Sequence, residues 1–247
     1  MMLFETLDTE EKAQEFRKDR LGKIDNGEIW SPMSEGPYCV VHWLPVSGRA
    51  LFDVDDLNSL EFSDFIQMER GGCEKEPNAN GVRFYSTEKD EIKENNILMD
   101  EGLKPRHFWN AQIFHSGTVE MVFALSFWDR SDEIKQIPQK LLIKNLWKVM
   151  DGFKACMSSF NITAPIIVGV SLLRAMDYRL FVDGKEGYTG PSDPRSDTEQ
   201  IILPEALMEN LDNMEKEERQ IFDMLWRHFN FRKCEYYDDE GRRKDIK

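Results

Sequence analysis

The side chains of this chain that could do chemistry fall into a few small groups. Asp53, Asp55, Asp56, Glu61 and Asp64 form an acidic cluster, and carboxylates are what a metal-dependent nuclease uses to hold Mg²⁺. Such sites normally draw their carboxylates from separate strands and add a lysine or histidine. Asp53-Val54-Asp55-Asp56 also lacks the glycine-centred calcium-loop pattern. The simpler reading is a solvated acidic stretch. Four histidines are present, His42, His107, His115 and His228. His107 and His115 are eight apart, which places both on one face of a continuous strand. Glu120 is the only acid near them, and a metal site needs three or more convergent ligands. Half-exposed strand histidines on an interaction surface are the expectation, with no resident metal or cofactor.

Ser126, Ser171 and Cys39 are candidate nucleophiles by type alone. Each sits inside an apolar run, without a nucleophile elbow or a readable histidine partner, so all three read as structural. Gly184-Lys185-Glu186-Gly187 lacks the spacing of a phosphate loop. Arg227, Arg232 and Lys233 flank Phe229 and Phe231 at the end of a helix pattern. There, basic residues meet the negative end of the helix dipole, which leaves direct nucleic-acid contact as a weak expectation. No catalytic residue is assigned.

These residues belong to a chain of 247 with 46 acidic and 32 basic side chains, a formal charge of −14. Apolar residues make up 40% and aromatics 11%, too core-rich for disorder. The acidity disfavours a grip on phosphate backbones. No apolar run approaches the length of a membrane span, and the acidic amino-terminal stretch has no signal-peptide pattern, so a cytoplasmic setting is expected. The four cysteines form no CxxC pair, and Cys39 and Cys156 sit in apolar surroundings as buried thiols would. Residues 51–100 carry 13 acids against 5 bases, whereas 101–150 carry 5 against 7. The acidic segment and the loop 183–198 are candidate contact surfaces for a protein partner.

The elements that would position these groups follow from periodicity. Ala13, Phe16, Leu21 and Ile24 give a helix over 8–25, with Asp8 as its cap and Glu11 as the capping-box partner. Tyr38–Leu44 and Val82–Ser86 read as strands. Residues 57–68 allow a short helix and 87–105 read as a loop. His107–Phe114 and Thr118–Phe127 make a hairpin around Gly117. A long, heavily buried helix covers 138–160, opened by Pro138 and ended by Asn161. Pro165–Leu173 is an inner strand, and Tyr178–Phe181 is expected to pair with it across Arg174–Asp177. Ile201–Leu203 is a short strand. A last helix opens at Asp212 with Glu215 and presents Ile221, Phe222, Leu225, Trp226 and Phe229. The expected class is α+β, a largely antiparallel sheet with about three helices packed on one face. A single domain over 1–235 is expected, with a polar tail over 236–247 that frays.

Several segments, taken in order, resemble a known family. They are Phe16-Arg17-Lys18-Asp19-Arg20-Leu21-Gly22-Lys23-Ile24, Tyr38-Cys39-Val40-Val41-His42-Trp43-Leu44-Pro45, Asn80-Gly81-Val82-Arg83-Phe84-Tyr85-Ser86 and Ala111-Gln112-Ile113-Phe114-His115-Ser116-Gly117-Thr118-Val119-Glu120. Val170-Ser171-Leu172-Leu173 with Tyr178-Arg179-Leu180, and Ile202-Leu203-Pro204-Glu205, complete the set. Over about residues 10 to 230 the chain resembles the C-terminal region of bacterial proteins with an AlbA-type, Schlafen-like N-terminal domain. The resemblance implies a region without the DNA- or ATP-binding N-terminal module, and it transfers no catalytic residue. It implies a non-enzymatic accessory or interaction domain in a nucleic-acid-related defence or regulatory system. The expected partner is a protein, such as a separate Schlafen-like module, with nucleic acid bound indirectly or weakly. The alternatives are a divergent metal-dependent nuclease and a nucleotide-sensing domain.

Overall fold

The computed structural model describes residues 2–28, 36–46, 54–59, 68, 72–87, 108–125, 135–181 and 194–246. In chain order these form α1 (Met2–Asp25), β1 (Tyr38–Pro45), α2 (Val54–Ser59), β2 (Gly72–Asn78), β3 (Gly81–Thr87), β4 (Trp109–Phe114), β5 (Val119–Ala124) and β6 (Gln136–Pro138). There follow α3 (Gln139–Ser159), β7 (Ile166–Leu173), β8 (Arg179–Phe181), β9 (Gln200–Ile202), β10 (Ala206–Met208) and α4 (Met214–Arg227). The main sheet runs β10-β7-β1-β5-β4-β3-β2, with β9 also on β7, and all its pairings are antiparallel. The class is α+β, as the alternation of apolar runs and helical stripes implies.

The hairpin of β4 and β5 turns where expected. Gly117 takes φ 81°, the left-handed conformation that glycine adopts without steric cost, and the Phe114 N–H donates to the Thr118 carbonyl at 2.9 Å. α3 begins just after Pro138 and ends before Asn161, which has φ 56°. Asn at this left-handed position is a common helix stop.

Side chains alternate across the sheet. Val41, Trp43, Met121, Phe123, Val168 and Val170 face a large core that also holds the apolar faces of α3 and α4. Val40, Val122 and Leu173 face the other way and pack with Leu21 and Ile24 of α1. Helices therefore lie on both faces of the sheet, not on one. The reason is visible in β1, β5 and β7, whose described side chains are almost all buried on both sides. Such strands need cover twice.

Other expectations change as well. α1 starts at Met2, so Asp8 lies inside the helix and does not cap it; Met2-Leu3-Phe4-Glu5 contains no breaker and is rich in good helix formers. Tyr178–Phe181 does not fold back on β7. Instead β8 pairs in parallel with β6, bringing Ile137 beside Leu180. A short helix lies over Val54–Ser59, starting before the expected 57–68, of which residues 60–67 lie outside the described residues. β2 is a strand of charged residues, mostly exposed at the sheet edge, where an apolar alternation is not required.

The tail does not fray. Tyr236 and Tyr237 are buried. The Tyr237 hydroxyl donates to Glu218 Oε1 at 2.6 Å and accepts from Trp147 Nε1 at 2.7 Å. Arg243 donates through Nε and NH2 to both oxygens of Glu218, at 2.6 and 2.8 Å, and through NH1 to Asp151 at 2.6 Å. Burial pushes the Glu218 pKa up despite these donors. Polar residues here are not a solvated end; they converge on one buried carboxylate. Arg243→Met leaves Glu218 without its cation and is expected to destabilise the chain by about 3–5 kcal/mol. Urea unfolding measures this, and a midpoint equal to wild type would refute the clasp.

Candidate functional site

Strand register sets one rank of side chains directly across the sheet. Arg83 of β3 lies opposite Gln112 of β4, Gln112 opposite Glu120 of β5, Glu120 opposite His42 of β1, and His42 opposite Gly169 of β7. All point to the α1 side. Over the β5-β1-β7 part, α1 brings in Arg17 and Arg20, three residues apart and so on one helix face.

Glu120 and His42 are both at 0% exposure. Arg20 grips the carboxylate with two hydrogen bonds, Nε to Oε2 at 2.8 Å and NH2 to Oε1 at 2.6 Å. His42 Nε2 lies 2.9 Å from Oε2, while Nδ1 is buried with no hydrogen-bond partner. A neutral ring with its proton on Nε2 satisfies this arrangement, because a bare acceptor costs less than a buried N–H without an acceptor. Burial holds the His42 pKa below its ordinary value, outweighing the opposite pull of Glu120. For Glu120, burial acts to raise the pKa, but hydrogen bonds from Arg20 and His42 dominate and the net direction is down. The cluster is thus an ionised carboxylate, a guanidinium and a neutral imidazole.

Arg17 crosses to β7 and the segment beyond β9. NH2 donates to Ser171 Oγ at 3.0 Å, NH1 and NH2 reach the Leu203 carbonyl at 3.3 Å, and NH1 pairs with Glu205. A Cβ at position 169 would overlap the Arg17 guanidinium, so Gly169 is the gap through which this arginine passes. Phe16 closes the cluster edge-on, against His42 at 5.8 Å and Phe114 at 5.4 Å between ring centroids. At the end of α1, Arg174 donates to the Asp25 carbonyl and stands over the Tyr38 ring.

The residues singled out in the sequence are scattered. Asp55 and Asp56 are exposed on α2. Asp53, Glu61, Asp64, His107 and Ser126 lie outside the described residues, as do residues 183–193 of the candidate contact loop. His115 follows the end of β4 and sits in the β4–β5 turn, its backbone N–H donating to the Asn80 carbonyl. Its supposed acidic neighbour, Glu120, is occupied by Arg20 and His42. Arg227 and Arg232 are exposed, with Arg227 Nε 3.4 Å from the Arg232 carbonyl, and Lys233 pairs with Asp239 at 3.1 Å. Ser171 is an acceptor for Arg17, which suits a structural hydroxyl. Burial pushes the Cys39 thiol far up and the Cys156 thiol up to about 12, so neither is poised as a thiolate. Among the described residues, no group of three or more His, Cys, Asp or Glu could hold a metal ion. No described helix is long and apolar enough to cross a membrane.

The cluster had a signal in the sequence. Arg17 and Arg20 fall on the apolar stripe of α1, and Glu120 and His42 each interrupt an apolar strand run. A charge placed where the pattern demands a hydrophobe is the mark of a buried pair. Comparison with protein-family models, curated proteins and solved structures finds no match to the chain.

Removing one partner of a buried pair leaves the other uncompensated. Arg20→Met is expected to destabilise by about 3–5 kcal/mol, whereas the double change Arg20→Met with Glu120→Met recovers much of the loss. Gly169→Ala is expected to cost about 1–3 kcal/mol by displacing Arg17. Chemical denaturation reads these and the single Glu120→Met; additive effects of the two singles in the double would show that Arg20 and Glu120 are not coupled.

Proposed function

We propose that this chain works by binding and not by catalysis, as a non-enzymatic interaction domain. The observation that supports this reading is the state of its inward-facing reactive groups. Glu120, His42, Arg17 and Ser171 are buried and committed to one another, so the one described constellation resembling an acid–base pair holds the fold together and meets no substrate. The setting we infer is the one the Schlafen-like resemblance implies: an accessory module of a cytoplasmic, nucleic-acid-related bacterial defence or regulatory assembly. Its partner would be a separate protein carrying the N-terminal type of module. An acidic surface favours such a protein partner over direct contact with a phosphate backbone.

The nuclease alternative rests on Asp53, Asp55, Asp56 and Glu61, and the described members of that group sit exposed on a helix of six residues. Incubated with single- and double-stranded RNA and DNA in the presence of Mg²⁺ or Mn²⁺, the chain is expected to leave every substrate intact. Cleavage that disappears in the Asp55→Ala, Asp56→Ala double variant would overturn the non-enzymatic reading. The binding reading itself is checked by sedimentation of the chain mixed with a Schlafen-like module from the same genome. A shared, faster boundary is expected, and two unchanged boundaries would remove that partner.

A further inference from the structure

We propose that the amino-terminal end of α3, where β6 and β8 also finish, is a binding site for the phosphate group of a small phosphate monoester. This goes beyond the protein-binding reading and stands apart from it, because it concerns a small anion. Loss of the protein partner would leave this site untouched, and the reverse holds as well.

β6 and β8 run parallel, with Pro138 opposite Phe181, so both strands end at one place. β6 passes directly into α3, whose 21 residues start at Gln139. The amino end of a helix set at the carboxyl ends of parallel strands is where α/β units hold anionic ligands. First-turn N–H groups there have no partner within the helix and carry partial positive charge. Among the described residues, the usual substitutes for a ligand are missing. Pro138, the N-cap, has no side-chain oxygen and makes no cap hydrogen bond, and the first turn contains no acid. The helix instead places Lys140 in that turn and Lys144 one turn on, both half-buried. A cation at this end works against the helix dipole, so local helix stability does not account for it. In a chain of net charge −14, the positive sign is a local feature.

The side chain of Gln139 points to a ligand independently. It is 1% exposed, and neither Nε2 nor Oε1 has a hydrogen-bond partner. Helical side chains lean toward the amino terminus, so at the first position the amide projects past the end of the helix. Gln139 shares the inward face of α3 with Leu142, Leu146 and Phe153. An amide buried there with both atoms unpaired costs free energy that a leucine would not. A ligand that supplies both an acceptor and a donor removes that cost.

A phosphate monoester meets this set of groups. Its oxyanion oxygens accept from Gln139 Nε2, from first-turn N–H groups and from the Lys140 ammonium. The P–OH of the monoanion donates to Gln139 Oε1. An ionised carboxylate has no such donor. Phe181 is 39% exposed at the end of β8, where its ring can pack on the organic part of the ester. No bond is made or broken, in keeping with a binding role.

Isothermal titration of the full chain at fixed ionic strength tests this, with inorganic phosphate, adenosine monophosphate and adenosine as probes. Saturable binding of the two phosphates is expected, and none of adenosine. Gln139→Leu is expected to weaken both by about tenfold or more, while raising the unfolding midpoint of the free chain because the orphaned amide is gone. Lys140→Ala is expected to weaken both by about tenfold. It alters a half-buried side chain and keeps the proposal testable should Gln139→Leu not fold. Tighter binding of the nucleotide than of inorganic phosphate, with the difference lost in Phe181→Ala, supports the site with the ring contact included. Equal affinity supports it with the phosphate group alone recognised. The site is overturned if neither phosphate binds saturably, if adenosine binds as well as its phosphate, or if the folded variants bind as wild type does.

Discussion

A carboxylate in the middle of a sheet is the constraint on which the rest of this structure turns. Glu120 has no access to water, and an unpaired buried charge is too costly to persist in a fold of ordinary stability. Its neighbours on the sheet cannot neutralise it. His42 is neutral, Gln112 has no charge, and the strands on either side are otherwise apolar there. The cation must come from outside the sheet, and only a helix laid across this face can carry it. The position of α1 and the inward placement of Arg20 follow from that requirement, while Arg17 and the gap at Gly169 serve a second contact, with Ser171, the Leu203 carbonyl and Glu205.

The same arrangement recurs at the other end of the described chain. Glu218 of α4 is as inaccessible as Glu120, and Arg243 of the final segment grips both its oxygens as Arg20 grips those of Glu120. In each case a peripheral segment adds to its apolar packing one arginine that grips both oxygens of a buried glutamate. The two clasps differ in their neighbours. Glu218 is accompanied by the Tyr237 hydroxyl, which does not gain charge in acid, whereas Glu120 is accompanied by an imidazole, which does.

Apolar periodicity was enough to read the strands β1, β3, β4, β5 and β7, the hairpin at Gly117, and the helices α3 and α4, because each carries a buried face of regular period. It failed where the period says nothing. β2 is an edge strand of charged residues. β8 is three residues long and chose β6 over β7, a decision made by Ile137 and Leu180 meeting in the core and not by any local turn signal. The tail looked solvated because its polar atoms find one another only in three dimensions. For the cluster, the clue was present as a mismatch: Arg17 and Arg20 on an apolar stripe, Glu120 and His42 inside apolar runs. Its members are distributed over α1, β1, β5 and β7, so no local grouping of acids and histidines along the chain marks it.

An apolar cluster of the same volume would hold α1 at least as firmly, since buried ion pairs contribute little net stability over hydrophobic replacements. What such a cluster would not supply is a choice of face. Every residue of β5 is buried, from Val119 to Ala124, and β1 and β7 are nearly the same. With hydrophobes on both sides, a slip of one residue exchanges the faces at small cost in buried area. Glu120 removes that degeneracy. Shifted by one, it would point into the core of α3 and α4, where the described residues of the flanking strands offer it Val41, Trp43, Ala111 and Ile113 and no cation. His42 and Gly169, aligned with it across β1 and β7, would be displaced in the same way. The ionic rank therefore selects the register of the three central strands together with the side on which α1 must lie.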